Sequence, residues 1–124
     1  MEKILIAGGR NYNDYEEFKR RVRHYINMHN IDLSDIELVS GGARGVDSMA
    51  ERIAKEFKIP IKVFPADWDT YGKAAGVIRN KQMAEYVGAN GTLIAFWDGK
   101  SRGTGNMIET AGDYNINICV IRID

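Results

Sequence analysis

The stretch Ile36–Phe57, IELVSGGARGVDSMAERIAKEF, changes its hydrophobic period halfway along. Ile36–Ser40 is a short apolar run, which suits a buried strand. Gly41-Gly42 stops it, because glycine weakens a strand and permits a sharp turn. From Val46 the apolar residues recur three and four apart: Val46, Met49, Ala50, Ile53, Ala54 and Phe57. That spacing puts them on one helical face. A strand, a glycine turn and an amphipathic helix make the first part of a parallel β-α-β unit.

The same pattern extends in both directions. Upstream, Lys3–Ala7 (KILIA) reads as a strand closed by Gly8-Gly9, and Asp14 caps a predicted helix over Tyr15–His29. Downstream, Ile61–Phe64 is a third strand between Pro60 and Pro65, followed by a loop over Ala66–Lys73. A third helix is predicted over Ala74–Val87 and a fourth strand over Thr92–Phe96. A fourth helix over Thr104–Tyr114 and a fifth strand over Asn117–Ile123 complete the series. Short apolar strands alternating with helices predict a three-layer, Rossmann-like α/β domain. Its five-stranded sheet is expected to be mainly parallel, with helices on both faces.

The 124 residues are expected to form one domain, 1–124. Seventeen Lys and Arg balance seventeen Asp and Glu, which argues against a broadly basic nucleic-acid binder. The lone Cys119 excludes an internal disulfide framework and a Cys-rich zinc site. His24 and His29 lack acidic neighbours at ligand spacing, so no metal is expected. No apolar run reaches membrane-spanning length, and no signal-peptide pattern precedes the first strand, so a cytoplasmic location is expected.

Glycine is the residue that departs from average. There are thirteen, where about nine are usual at this length, and they cluster. Three clusters follow predicted strands: GGR at Gly8–Arg10, SGGARGVD at Ser40–Asp47, and DGKSRGTG at Asp98–Gly105. Ligands of open parallel sheets sit at the carboxyl ends of the strands, and helix N-termini there favour phosphate. Each cluster also carries an arginine, Arg10, Arg44 or Arg102, the side chain best shaped to grip phosphate. Neither G-x-G-x-x-G nor the G-x-x-x-x-G-K-[ST] loop is present, which argues against a dehydrogenase or an NTPase.

Taken together, GGRNYND, VSGGARGVDSMAERIA, PADWDTYGKAAGVIRNKQM and GKSRGTGNMIETA resemble the small YspA-type branch of the SLOG superfamily. These Rossmann-like domains are related to DNA-processing protein A and to the Lonely Guy phosphoribohydrolases. The resemblance implies a nucleotide or nucleotide-derived ligand. SGGARGVD is similar to a block of the DNA-processing proteins, which by itself would suggest nucleic acid. IRNKQM is similar to the arginine block of the Lonely Guy enzymes and would make Arg79 catalytic. Their G-G-x-G-T-x-x-E block is kept only in part. Met107 stands where it carries glutamate, and Glu109 is the nearest acid. About 100° of rotation per residue turns Glu109 away from that position. Asp67, Asp69 and Asp98 are the next acidic candidates.

The reading is a binding module for a phosphorylated nucleoside or derivative, such as an ADP-ribose-like or cyclic nucleotide. Gly8, Gly9 and Arg10 form one wall. Gly41, Gly42, Arg44 and Gly45 are expected to present N–H groups to phosphate, and Gly103, Thr104 and Gly105 to cradle a second. Trp68 or Tyr71 is expected to stack the base, and Asp47 or Asn80 to bond the ribose. Lys73, Arg79, Asn80 and Lys81 add a basic cluster beside the site. The alternatives are a nucleotide N-glycosidase using Arg79 and Glu109, or a single-strand binder; neutral net charge disfavours nucleic acid as a partner. No cofactor is expected. Apolar residues of the last two helices (Val77, Ile78, Met83, Val87, Met107, Ile108, Ala111) suggest a homodimer or larger homo-oligomer.

Overall fold

A computed structural model describes residues 1–124. Five strands form one sheet: β1 (Glu2–Gly8), β2 (Ile36–Ser40), β3 (Ile61–Val63), β4 (Thr92–Trp97) and β5 (Asn117–Arg122). Their spatial order is β3-β2-β1-β4-β5, and every neighbouring pair is parallel. Five helices connect them: α1 (Tyr15–Met28), α2 (Val46–Phe57), α3 (Trp68–Tyr71), α4 (Ala75–Val87) and α5 (Arg102–Asp113). One-turn 3₁₀ segments lie at Leu33–Asp35 and Gly72–Ala74. The predicted α/β class is the observed one.

Side-chain alternation along the strands separates two cores. Ile4, Ile6, Leu38, Ile94 and Phe96 pack with Phe18 and Val22 of α1 and with Ala50 and Ile53 of α2. Leu5, Ala7, Val39, Leu93 and Ala95 pack with Met83 and Ala84 of α4 and with Met107 and Ala111 of α5. The central strands are apolar on both faces because helices cover both. The chain passes from β1 outward through β2 to β3, then returns to the other side of β1 as β4. The order therefore reverses between β1 and β4, which is where this class opens a crevice. No helix is long and apolar enough to cross a membrane.

Two segments differ from the sequence reading. Ala66–Lys73 is not simply a loop, because Trp68–Tyr71 is helical and leads through the 3₁₀ turn into α4. Asp67 causes this by accepting the Thr70 N–H at 3.1 Å, a capping bond. The last helix begins at Arg102, not Thr104. Asp98 fixes its entry by accepting the N–H groups of Lys100 at 2.8 Å and Ser101 at 2.7 Å. Arg102 and Gly103 are consequently in the helix with Thr104 and Gly105, and not in the loop before it.

Candidate anion-binding cleft at the strand carboxyl ends

A cleft of about 360 Å³ opens at the reversal point. That volume lies within the range of small-ligand sites, about 300–1,000 Å³. Gly8–Asn11 after β1, Ala43, Arg44 and Asp47 after β2, and Ser101–Thr104 after β4 line it. Arg79, Asn80 and Met83 of α4 and Met107 of α5 complete the wall. The lining holds four arginines, Arg10, Arg44, Arg79 and Arg102, and one acid, Asp47. Arg10, Arg44 and Arg102 form no ion pair, in contrast to the surface arginines Arg20, Arg21 and Arg122. Three unpaired guanidinium groups around one crevice favour an anion.

Glycine shapes the meeting of the first two walls. Gly45 has φ +75°, and a Cβ there would collide with the Gly9 carbonyl. The loops after β1 and β2 thus touch backbone to backbone, joined by the Val46 N–H donating to Gly9 O at 3.2 Å.

The β2–α2 loop turns two of its donors back on itself. Gly42 N–H donates to Ser40 Oγ at 3.3 Å, and Ala43 N–H donates to Asp47 Oδ2 at 3.1 Å. Arg79 fills the space beside Gly41, donating from Nη1 to the Gly41 carbonyl. Gly41, Gly42 and Gly45 accordingly shape the wall from behind and do not line the cleft. The start of α5 lines the cleft itself. Its first intrahelical bond runs from Gly105 N–H to Ser101 O at 3.0 Å, so the N–H groups of Arg102, Gly103 and Thr104 have no carbonyl partner. No acid occupies that first turn, and a Cβ at Gly103 would stand in open space.

Arg79 and Asn80 hold the walls together. Arg79 Nη1 also reaches Phe64 O at 3.4 Å, and its Nε donates to Asn80 Oδ1 at 3.0 Å. Asn80, 4% exposed, donates from Nδ2 to Asn106 Oδ1 at 2.9 Å and to Gly103 O at 3.3 Å. One side-chain pair thus ties the ends of β2 and β3 to the first turn of α5. Burial lowers the Arg79 pKa, an effect the nearby Asp47 charge opposes. Asp47 is pushed above the ordinary carboxylate range by burial, against the Ala43 N–H and the charge of Arg79.

Other expected residues lie elsewhere. Glu109 is exposed and outside the cleft, while Met107 is buried within its wall. Asp67 and Asp98 cap backbone turns, and neither they nor Asp69 line the cleft. Trp68 borders a shallow hollow beside it with Arg10, Ala43 and Arg44. Tyr71 and Gly105 line neither space. Asn11, Ala43 and Ser101 were not foreseen. They carry no chemical signature, and only the folded loops bring them to the rim.

Residues 2–71 match the YAcAr family, described as the YspA, cpYpsA-related SLOG family. Over 116 residues the chain is 33% identical to the Gene 61 protein of Mycobacterium phage D29, covering 90% of this chain and 89% of that protein. The match includes the loops after β1 and β2 that build two walls of the cleft. On these grounds the chain belongs to the YspA, cpYpsA-related SLOG family.

Proposed function

We propose that the protein is a binding module for a phosphorylated nucleoside or a nucleotide derivative, held at the carboxyl ends of β1, β2 and β4. SLOG membership points to nucleotide-related ligands in general. The observation that carries the finer reading is the lining of the cleft: four arginines against one carboxylate, at the sheet's reversal point. The phosphate sits on the free N–H groups of Arg102, Gly103 and Thr104, where the helix dipole and nearby guanidinium groups act together. Arg10 and Arg44 close over the ligand from the opposite rim. The exposed Trp68 ring, beyond Ala43 and Arg44, offers the base a stacking face.

A hydrolase reading would need Glu109 in the cleft with Arg79, and only Arg79 is there. The module reading therefore leads. A second copy of the chain is also proposed as a partner, although Met83, Val87, Met107 and Ala111 are buried in the chain's own core. Trp68, Tyr71 and Val77 are the exposed apolar residues left on that side.

A thermal-shift panel of AMP, ADP-ribose, NAD, cyclic dinucleotides and a short DNA strand tests the module reading. A ligand at a hundredfold excess over Kd stabilises the fold by about 2.7 kcal/mol. For a domain this size that raises Tm by roughly 8–15 °C. At least one phosphorylated nucleoside should do so, and DNA should not. Arg44→Ala should remove about 1.5–3 kcal/mol of binding, and Asp35→Ala, far from the cleft, should change nothing. A shift by DNA alone would transfer the reading to nucleic acid. No shift at all would leave the glycine loops as turns.

A further inference from the structure

Asp47 is the one acid in a cleft of arginines, and it is 6% exposed. Its Oδ2 accepts the Ala43 N–H. Its Oδ1 makes no hydrogen bond within the protein, and no buried side-chain oxygen is left unsatisfied, so Oδ1 is open to the cleft it lines. The nearby Arg79 charge favours its ionised form but makes no ion pair or hydrogen bond with it, since that guanidinium is bonded to the Gly41 and Phe64 carbonyls. Capping Ala43 does not require a charge, because an asparagine oxygen would accept the same N–H. A buried carboxylate with one open oxygen is suited to a ligand that donates to it.

The donor must belong to a ligand that four arginines also attract, which argues against a simple cation and leaves hydroxyl or N–H groups on an anion. Position narrows this further. On one side of Asp47, Arg79 and Asn80 lead to the free N–H groups of α5. On the other, Ala43 and Arg44 lead to Trp68. A nucleotide has the same order, phosphate, sugar, base. Asn80 does not compete for the sugar, because both ends of its amide are engaged inside the protein.

Resting on the nucleotide reading above, we infer that Asp47 Oδ1 receives the free ribose hydroxyls and makes the cleft selective for 5′-phosphorylated ribonucleosides. A ligand lacking those hydroxyls, or with its 3′-hydroxyl esterified, leaves the open oxygen without a partner. Such losses are costly when the unpaired group is charged and buried.

Calorimetric titration decides this, using the 5′-mono- and diphosphates of adenosine, guanosine, cytidine and uridine, each beside its 2′,3′-dideoxy counterpart. The wild-type protein should bind the ribonucleotide at least about tenfold more tightly than the dideoxy form. In Asp47→Asn, which keeps the Ala43 bond, that ratio should fall to about threefold or less. Equal wild-type affinities, or a ratio unchanged in Asp47→Asn, would overturn the assignment while leaving nucleotide binding standing. Tight binding of a 3′,5′-linked cyclic dinucleotide without a free diol would do the same. Selection for guanine alone, lost in Asp47→Asn without dependence on the diol, would move Asp47 to the base. Binding by neither series would overturn this inference, and a flat thermal-shift panel beside it would overturn the nucleotide reading as well.

Discussion

Asp47 sits at 6% exposure, and its burial raises the carboxyl above the ordinary carboxylate range. Arg79 and Arg10 favour the charged form, Glu51 opposes it, and desolvation outweighs them. A raised native pKa means that the side chain's favourable contribution is present at acid pH, below the unfolded value near about 4. It is lost as pH rises through the native value. Above that native value the buried charge of Asp47 therefore weakens the fold. Asp47→Asn should have a higher Tm than wild type at pH 7, with the difference shrinking as pH falls toward about 4. Melting curves of both proteins between pH 3 and 8 check this, and a variant less stable at pH 7 would contradict it. A residue that lowers stability while lining a cleft is common at functional sites.

At the scale of the element, α5 matters through how its first turn is held. Asp98 sets the entry from the β4 side, and Asn80 fastens Gly103 from α4. Asn80→Ala removes three hydrogen-bond contacts of a buried amide and leaves Arg79 Nε without its partner. The expected cost is about 1–3 kcal/mol, read as a fall in the urea midpoint at unchanged m-value. Nucleotide affinity should fall as well, because the α5 N–H groups lose their fixed position. If affinity is unchanged in the folded variant, Asn80 supports the fold alone.

The helix is also where the sequence was hardest to read. Gly103 looks like a loop residue, since glycine disfavours helix interiors. Asp98 and Ser101 overrule that preference by starting the helix at Arg102. In the same way Asp67 turns a segment with loop composition into α3. The reach of Arg79 to Gly41 was equally hidden, because it spans 38 residues and no spacing rule encodes it.

For the whole molecule, the change of period in Ile36–Phe57 and the short apolar strands were enough to specify the parallel sheet. The general rule that ligands sit at strand carboxyl ends then brought Arg10, Arg44 and Arg102 to one edge. What remained illegible was that Gly41, Gly42 and Gly45 would stand behind the cleft wall while Arg102–Thr104 line it. That depends on side chains folding back onto the backbone. The apolar residues of α4 and α5 posed a similar ambiguity, since a core face and a docking face have the same period. With Val77 still 55% exposed beside Trp68, sedimentation at micromolar concentration should show a dimer that Val77→Glu reduces to monomer. A wild-type monomer would remove the proposed second copy.

The cleft itself is tested most directly by following backbone amide resonances of the ¹⁵N-labelled protein while a nucleotide is added. With AMP or ADP-ribose, the largest shifts should fall on Gly8–Asn11, Ala43–Asp47 and Arg102–Thr104. The Gly103 and Thr104 amides should move downfield as they bond phosphate. Shifts confined to other surfaces, such as β5, or the absence of any shift at millimolar nucleotide, would contradict the account.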